Sequence, residues 1–520
     1  MSVPLALYSL TAAVVLGVIY RKVATRGRSK LPLPPGPPKL PLVGNLFQMP
    51  ATQNYLTFQR WSKEYKSDIL HLDVAGRSVI VLCSAKAADN LLEKRAAIYS
   101  DRPRFVFLNE IMGSGYSFTF MRYGTPWRER RRMFHSVFGT TADVAKFYPK
   151  QREYIHELLL ELLQTKEDNL MDPIGRMACK IVMSIAYGLN VLPTNDPHVE
   201  LAQTFGEVMS KVVTPGRFLV ENIPALKHVP AWFPGAGFKR QAQEWAKMTG
   251  NVRKVPFEAA KARIASGKAE YSFVYSGLHA AENRRTPEEQ EAHELIVSEV
   301  AAVIFPAGAH TTTASTGIFF LAMMHHPDVM HKAQQEIDRV IGSDRLPDFE
   351  DRKDMPYLSA VVKESLRWWV TAPTALSHYT NVEDEYRGYR IPANSIVVGN
   401  AWAILHDEET YPDPDVFKPD RWLRADGTLN PDVPDPIQAF GYGRRICPGK
   451  HVGEGTVWFI IASILSVFDI NPRPNEKGEI VPPPLNFADG VVSTPRPFSG
   501  VITPRSEKHA ALILAANQAN

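Results

Sequence analysis

One cysteine constrains this chain more than any other residue. Cys447 lies in the stretch "AFGYGRRICPGKHVGEGTVWFIIA", residues 439–462, directly before an apolar helix. A thiolate here would face free backbone N–H groups and the positive end of the helix dipole, both of which stabilise negative sulfur. Gly443 and Gly449 would let the backbone curl around a bulky group, and Arg445 could pair with an acid on that group. The loop therefore predicts a binding site.

The other cysteines narrow the kind of group that Cys447 could hold. Cys83 and Cys179 lie far from it and from each other, and the total is odd, so we expect a reducing compartment and no disulfide framework. We expect both to be small buried hydrophobes. A zinc site needs four ligands, which this loop does not supply. A single axial thiolate beneath a haem iron remains.

The loop resembles the haem-binding signature of the cytochrome P-450 family, F-x-x-G-x-R-x-C-x-G. Phe440, Gly443, Arg445, Cys447 and Gly449 all match that signature. The resemblance implies the mainly α-helical haem-thiolate fold with a smaller β-rich part. It also implies haem b (iron protoporphyrin IX) as cofactor, with Cys447 as the axial ligand of the iron. The proline-rich "LPPGPP" and the tail "STPRPFSGVITPRS" look most like fungal, microsomal members.

A second motif lies in "TPWRERRRMFH", residues 125–135. The family uses a W-x-x-x-R pair, here Trp127 and Arg131, to hold a haem propionate, with help from the residues that match Arg445 and His378. The neighbouring arginines form either a solvated helix face or a basic patch suited to an acidic electron donor. They are Arg128, Arg130 and Arg132.

A third motif is structural. "KESLRW" places Glu364 and Arg367 on one helix face. By itself this pattern indicates a surface ion pair, but in the family the matching pair joins a downstream arginine, here Arg421. Asp420 and Trp422 stand where the family usually has glutamate and phenylalanine. The resemblance implies that the three charges brace the fold under the haem.

The apolar run "LIVSEVAAVIFPAGAHTTTASTGIFFLAMM" predicts a buried helix with breakers at its centre, residues 306–315. This segment resembles the family's [AG]-G-x-[DE]-T-[TS], where the central helix passes over the iron. We expect Gly308 and Pro306 to widen the helix, which leaves room for dioxygen and water. The resemblance implies that Thr311 relays protons to the oxygen site.

His310 departs from the family, whose residue at this position is normally Asp or Glu. Histidine can also pass protons near neutral pH, because its unperturbed pKa is about 6.5. We therefore expect a monooxygenase with a histidine relay. The alternative is that His310 turns outward and leaves proton delivery to water.

The N-terminus predicts a membrane tether. Residues 3–20 are apolar and uncharged, close to the length that spans a bilayer. Basic residues follow, which by the positive-inside rule hold the rest of the chain in the cytosol, at the endoplasmic reticulum membrane. A cleaved signal peptide would carry its charges before the apolar run. The predicted segments are an anchor (1–22), a basic and proline-rich hinge (23–45) and a catalytic domain (46–520).

Within that domain, residues 67–82 predict a strand hairpin that breaks at Gly76. Residues 150–370 are mainly helical in pattern, whereas strand-like segments and turns follow residue 371 and a final helix begins near 453. Residues 215–237 interrupt the helices with prolines and aromatics, as either a buried loop or a membrane-contacting one. The net charge of +4 over 520 residues is too small to indicate nucleic acid binding.

The resemblance implies insertion of one oxygen atom from dioxygen into an apolar substrate, with electrons from NADPH through a membrane-bound reductase and with cytochrome b5 as a further possible donor. Two alternatives stay open: a haem-thiolate isomerase or dehydratase that needs no dioxygen, and a non-catalytic haem-binding protein. The substrate class is a hydrophobic secondary metabolite such as a terpenoid or an aromatic polyketide. The expected pocket walls are 102–120, 303–311, 370–376 and 488–493.

Overall fold

A computed structural model describes residues 31–50, 52–164, 169–192, 196–213, 218–281, 286–475 and 477–518. The predicted anchor at 3–20 and the basic residues up to 30 lie outside the described residues. The chain divides into two compact units. The smaller comprises the described residues up to Pro103 together with Leu376–Ile404 and Tyr442–Arg444, and the larger comprises Arg104–Ala375, Leu405–Gly441 and the residues from Arg445 onward.

The described part of the chain is mostly helical. Its α-helices, in chain order, are α1 Asn54–Glu64, α2 Ala85–Ala88, α3 Ala96–Tyr99, α4 Thr125–Phe138, α5 Thr141–Val144, α6 Tyr148–Gln164, α7 Met171–Tyr187, α8 Pro197–Val212, α9 Gly237–Ala265, α10 Phe273–Ala281, α11 Pro287–His325, α12 Pro327–Ile341, α13 Pro356–Trp368, α14 Ala401–Leu405, α15 Lys450–Val467 and α16 Glu507–Gln518. Its strands are β1 Ile69–Val74, β2 Arg77–Leu82, β3 His378–Thr380, β4 Asp384–Tyr386, β5 Tyr389–Ile391, β6 Ser395–Gly399, β7 Phe468–Asn471 and β8 Val501–Pro504.

The smaller unit is built on a four-stranded sheet in the order β1-β2-β6-β3. The predicted hairpin is confirmed: β1 and β2 pair antiparallel, and Ala75 and Gly76 make the turn with φ of 51° and 87°. β6 joins β2 in parallel, and β3 joins β6 antiparallel. Apolar side chains on one face of β1 and β2 pack against Phe58 and Trp61 of α1, which gives this unit its own core.

The larger unit is a helical body around α11. This helix packs against α4, α7, α8 and α15, and most of its side chains from Val297 to Met324 are buried. Among the described residues, α11 is the one helix that is long and apolar enough to span a bilayer. A buried core helix can have the same length and composition. The predicted helical pattern over 150–370 and the helix near 453 are confirmed, but that helix is not the final one, because α16 follows it at Glu507–Gln518.

Residues 215–237 interrupt the helices as predicted. The described part forms two short 3-10 helices, Leu219–Glu221 and Pro224–His228, between α8 and α9. Several large apolar side chains of this segment are exposed rather than buried, and Trp232 is 78% exposed. The others are Leu219, Ile223 and Phe233.

The lowered pKa values of two buried histidines predict how the free energy of unfolding depends on pH. Burial lowers the pKa of His71 to about 4 and, separately, that of His156 to about 4. In the unfolded chain both imidazoles titrate near pH 6.5, so between pH 6.5 and 4 the unfolded state binds more protons. We therefore expect the free energy of unfolding to fall as the pH drops through this window, by up to about 3 kcal/mol per histidine.

Urea unfolding at several pH values measures this dependence. His71→Gln should make the free energy of unfolding less steep against pH between 6.5 and 4. His331→Gln, at an exposed position of α12, is the matched control and should leave the slope unchanged. An identical slope in wild type and His71→Gln would contradict the prediction.

Candidate active site

The cysteine loop is a tight backbone structure at the start of α15. Two short 3-10 turns, Ile437–Phe440 and Gly443–Arg445, lead into it. The Cys447 N–H donates to the Phe440 carbonyl at 2.7 Å and closes the loop. Gly443 has a φ of 54°, and a Cβ there would lie 2.0 Å from the carbonyl oxygen of Leu92. Only glycine fits this position, and what Gly443 accommodates in this structure is the backbone of Leu92.

The electrostatics of Cys447 differ from the sequence expectation. Burial is the dominant influence and raises the pKa of the Cys447 thiol. The N–H of Gly449 and the charges of Arg131 and Lys450 act in the opposite direction but more weakly. The donors expected from the helix start are therefore present, but they do not outweigh desolvation. A coordinating metal deprotonates a thiol outright, so a bound iron would supply the missing stabilisation.

Helix α4 is bonded to the cysteine loop through Arg131. Its Nη1 donates to the Ile446 carbonyl at 2.8 Å, one residue before Cys447. Arg445 is buried and lies over the Trp127 ring at 4.5 Å, and its Nη2 donates to the Met121 carbonyl at 2.7 Å. Trp127, Arg131, Arg445 and Cys447 therefore form one cluster.

Arg130 has a different role from its neighbours. Its guanidinium forms a hydrogen-bonded salt bridge with Glu299 of α11, and both side chains are almost fully buried. The guanidinium of Arg253 lies 3.8 Å from the same carboxylate. Arg130 therefore belongs neither to a solvated helix face nor to a basic patch, because its charge binds α4 to the core helix. Arg128 and Arg132 are exposed.

His378 lies in β3 of the smaller unit and is almost fully buried. Its Nδ1 donates to the Tyr99 carbonyl at 2.7 Å, because a carbonyl can only accept. This bond fixes the orientation of the imidazole ring within that unit.

The core helix is continuous through its centre. Every residue of α11 is α-helical, Pro306 and Gly308 included. A Cβ on Gly308 would lie 3.0 Å from Cγ2 of Val182, so the glycine permits close packing of α11 on α7. Helix–helix contact therefore explains the glycine, and the expected widening stays a prediction.

An open face nevertheless interrupts the buried part of α11. Ala307 and Thr311, one turn apart, are exposed, while Phe305, Ala309 and Thr312 beside them are buried. The Thr311 hydroxyl donates to the Ala307 carbonyl at 2.8 Å. A hydroxyl on an accessible face of a core helix can contact a bound molecule.

His310 points elsewhere. Its Nε2 lies 3.0 Å from Oγ1 of Thr494, and its Nδ1 edge faces α8, where a Cβ on Gly206 would lie 3.5 Å away. Burial lowers the pKa of His310, which favours the neutral imidazole. Sequence reasoning missed Thr494, because the two residues are 184 positions apart and no local pattern joins them.

The three structural charges meet in a buried network. Arg367 donates twice to Glu364, at 2.9 and 2.7 Å, and Arg421 donates to the same carboxylate at 3.2 Å. Trp422 Nε1 donates to Glu364 at 3.0 Å, and so does the Lys418 N–H at 2.8 Å. The departure at Trp422 therefore adds a bond that phenylalanine could not make. Sequence reasoning missed this contribution.

The residues around Cys447 fit a haem. Arg131 is a largely buried guanidinium with no carboxylate in ion-pairing distance among the described residues, so it can accept an acidic group of a cofactor. A Cβ on Gly449 would lie 3.9 Å from both Cys447 Sγ and Phe134 Cζ, so its absence leaves space beside the sulfur. One sulfur ligand, a cation with no carboxylate partner among the described residues and the ring of Phe134 fit an iron porphyrin with propionate groups.

Comparisons with known proteins agree with this site. The family model described as Cytochrome P-450 matches residues 34–500. Cytochrome P-450 monooxygenase 98 of Postia placenta is 41% identical over 95% of this chain and 94% of its own length. Cytochrome P-450 monooxygenase ple1 of Rhodocybe pseudopiperita is 40% identical, over 95% and 93%. Tryptamine 4-monooxygenase of Psilocybe cyanescens is 37% identical, over 96% and 98%.

The family match covers both the cysteine loop and the core helix, and the relatives are fungal monooxygenases aligned along almost their whole length. The cofactor that this family implies is the haem that the Cys447 cluster fits. This chain therefore belongs to the cytochrome P-450 family and is a haem-dependent, oxygen-incorporating monooxygenase.

Proposed function

We propose that this protein inserts one oxygen atom into a hydrophobic secondary metabolite, such as a terpenoid or an aromatic polyketide, using electrons from NADPH delivered by a reductase. The observation that carries the proposal is the Cys447 loop, bonded through Arg131 to α4 in the larger unit that contains α11. Bound haem would supply the reductive activation of dioxygen. Cys447 would bind its iron, and Arg131 would hold one of its propionates.

The open face of α11 provides the proton donor. Thr311 donates to Ala307 in this structure, and rotation of its hydroxyl hydrogen about the Cβ–Oγ1 bond lets it donate to a bound molecule instead. The segment 102–120, an expected pocket wall, is rich in aromatic contacts: Phe107 stacks on Phe218 at 3.8 Å, and Phe105 meets Phe120 edge-on at 5.4 Å. Such walls exclude water and favour an apolar substrate.

The N-terminal segment 3–20 and the exposed apolar side chains of residues 218–236 support attachment to a membrane. Trp232 and Phe233 are both aromatic and exposed, and the indole of Trp232 also has a polar N–H. Such side chains suit the interfacial region of a bilayer. We propose a single-pass anchor in the endoplasmic reticulum membrane with the catalytic domain in the cytosol.

The exposed arginines of α4 support docking of an acidic electron donor. We expect the double variant Arg128→Glu, Arg132→Glu to slow the first electron transfer from NADPH–reductase about tenfold at low salt, because exposed interface charges act mainly on the association rate. Stopped-flow reduction in the presence of carbon monoxide measures this rate. Arg424→Glu, an exposed arginine outside α4, is the control. Equal rates for both variants would contradict a docking role.

Isotope tracing tests the proposed function. Microsomes with this protein and a reductase are given a panel of terpenoids and aromatic compounds under labelled dioxygen. The name of one relative, tryptamine 4-monooxygenase, adds an indole amine to that panel. A product that requires NADPH and contains one labelled oxygen supports the proposal. A product formed without NADPH and without label would instead indicate an isomerase or dehydratase.

A further inference from the structure

A row of polar contacts joins the centre of α11 to two loops. Besides the His310–Thr494 contact, Ser315 Oγ lies 3.2 Å from Oγ1 of Thr371. The Ser493 N–H donates to the Thr371 carbonyl at 2.8 Å, which connects the two loops to each other. We call these five residues the loop seam: His310, Ser315, Thr371, Ser493 and Thr494.

The loop seam holds the base of the segment 487–495. Phe487 and Pro495 bridge to each other, and the Ala488 N–H donates to the Thr494 carbonyl at 2.8 Å. Trp369 stacks on Phe487 at 3.7 Å, and its Nε1 donates to Ser493 at 3.0 Å. On one side the segment is therefore fixed by Trp369. On the side of α11, Thr494 makes its polar contact with His310, and Pro495 packs close to Gly317, where a Cβ would lie 3.2 Å from Pro495 Cγ.

The orientation of His310 separates it from proton delivery. Consecutive residues of an α-helix are turned by about 100°, and Thr311 occupies the open face while His310 faces Thr494 and α8. One ring nitrogen is bonded to Thr494, and the other edge lies against the backbone near Gly206. An imidazole held in this way can position a loop without exchanging protons with the open face.

We propose that His310 is a positioning and specificity-determining residue, which fixes the 487–495 segment against α11 through Thr494 and so sets the shape of the substrate pocket. The inference rests on the proposed function and on the expectation from the sequence that residues 488–493 form a pocket wall. It replaces the proton-relay role that the sequence suggested for His310. Thr311 and water then suffice for proton delivery.

The test compares two variants, each of which removes one partner of the hydrogen bond between His310 and Thr494. Thr494→Val removes the hydroxyl at constant shape and leaves the imidazole in place, whereas His310→Leu removes the imidazole. We expect each to weaken binding of 4-phenylimidazole, followed by the absorption change of the haem protein, about 3- to 10-fold, the effect of one hydrogen bond. The double variant should be no weaker than the stronger single variant, because both lose the same contact.

Two controls and one further readout accompany the titration. Thr494→Ser keeps the hydroxyl and should bind the probe like wild type. Thr313→Val alters a threonine of α11 whose hydroxyl bonds only its own helix, at 2.8 Å to the Ala309 carbonyl, and should also be neutral. Hydrogen exchange should become faster at Ala488 and Ser493 in Thr494→Val and not in Thr313→Val.

The opposite result would identify a relay. If Thr494→Val binds the probe and exchanges hydrogen like wild type, while His310→Leu alone releases more peroxide per NADPH consumed, the positioning role is wrong. Should His310→Leu fail to take up haem, Thr494→Val alone decides. Failure of the proposed function is distinct, because wild type would then lack NADPH-dependent product while the probe titrations stay interpretable.

Discussion

Replacing Cys447 by serine is expected to abolish thiolate ligation of the haem and to lower turnover more than about 100-fold. The estimate is a lower bound, since losing even the outer partners of a metal ligand costs about 10- to 100-fold. Serine has nearly the shape of cysteine, so the loop bond from the residue 447 N–H to the Phe440 carbonyl should persist. The loss of activity can then be attributed to the loss of the sulfur ligand.

The spectrum of the reduced carbon monoxide complex measures this directly, because its strongly red-shifted Soret band requires a thiolate opposite the gas. Cys179→Ser is the matched control: Cys179 is a buried residue of α7, and burial raises the pKa of its thiol to about 12, so it stays a neutral core thiol. A variant at Cys447 that kept the red-shifted band would mean that another residue is the ligand.

Replacing Glu364 by glutamine is expected to cost about 3–5 kcal/mol of stability, the usual effect of breaking a buried ion pair. Glu364 and Arg367 are fully buried, and the carboxylate accepts bonds from Arg367, Arg421, Trp422 and the Lys418 N–H. Glutamine keeps the shape but presents an NH2 group to donors. Two guanidinium groups are then left without a buried counter-charge.

Urea unfolding of the holoprotein measures the loss, and Asp420→Asn provides the control. Asp420 pairs with Lys332 at the surface, where both side chains are about half exposed. Exposed pairs are worth at most about 1 kcal/mol. If both variants lose the same stability, Glu364 does not brace the fold in the way that its contacts indicate.

The sequence by itself determined the features that depend on short segments. The hairpin at 69–82, the helical run and the long apolar helix follow from local periodicity and turn residues. The Cys447 signature is contained within ten residues, and Trp127 and Arg131 lie four apart on one helix. Each of these patterns needs only neighbouring residues, which is why they could be predicted.

The tertiary structure decided what each functional side chain contacts. Arg130 could not be separated from Arg128 until α4 was seen against Glu299, 169 residues away. The close contact between Gly308 and Val182 could not be read from the sequence either. The pKa of Cys447 depends on its burial, and the partner of His310 lies in a loop 184 residues further along the chain. Contacts of this kind are set by packing between distant segments, which leaves no periodic pattern in the sequence.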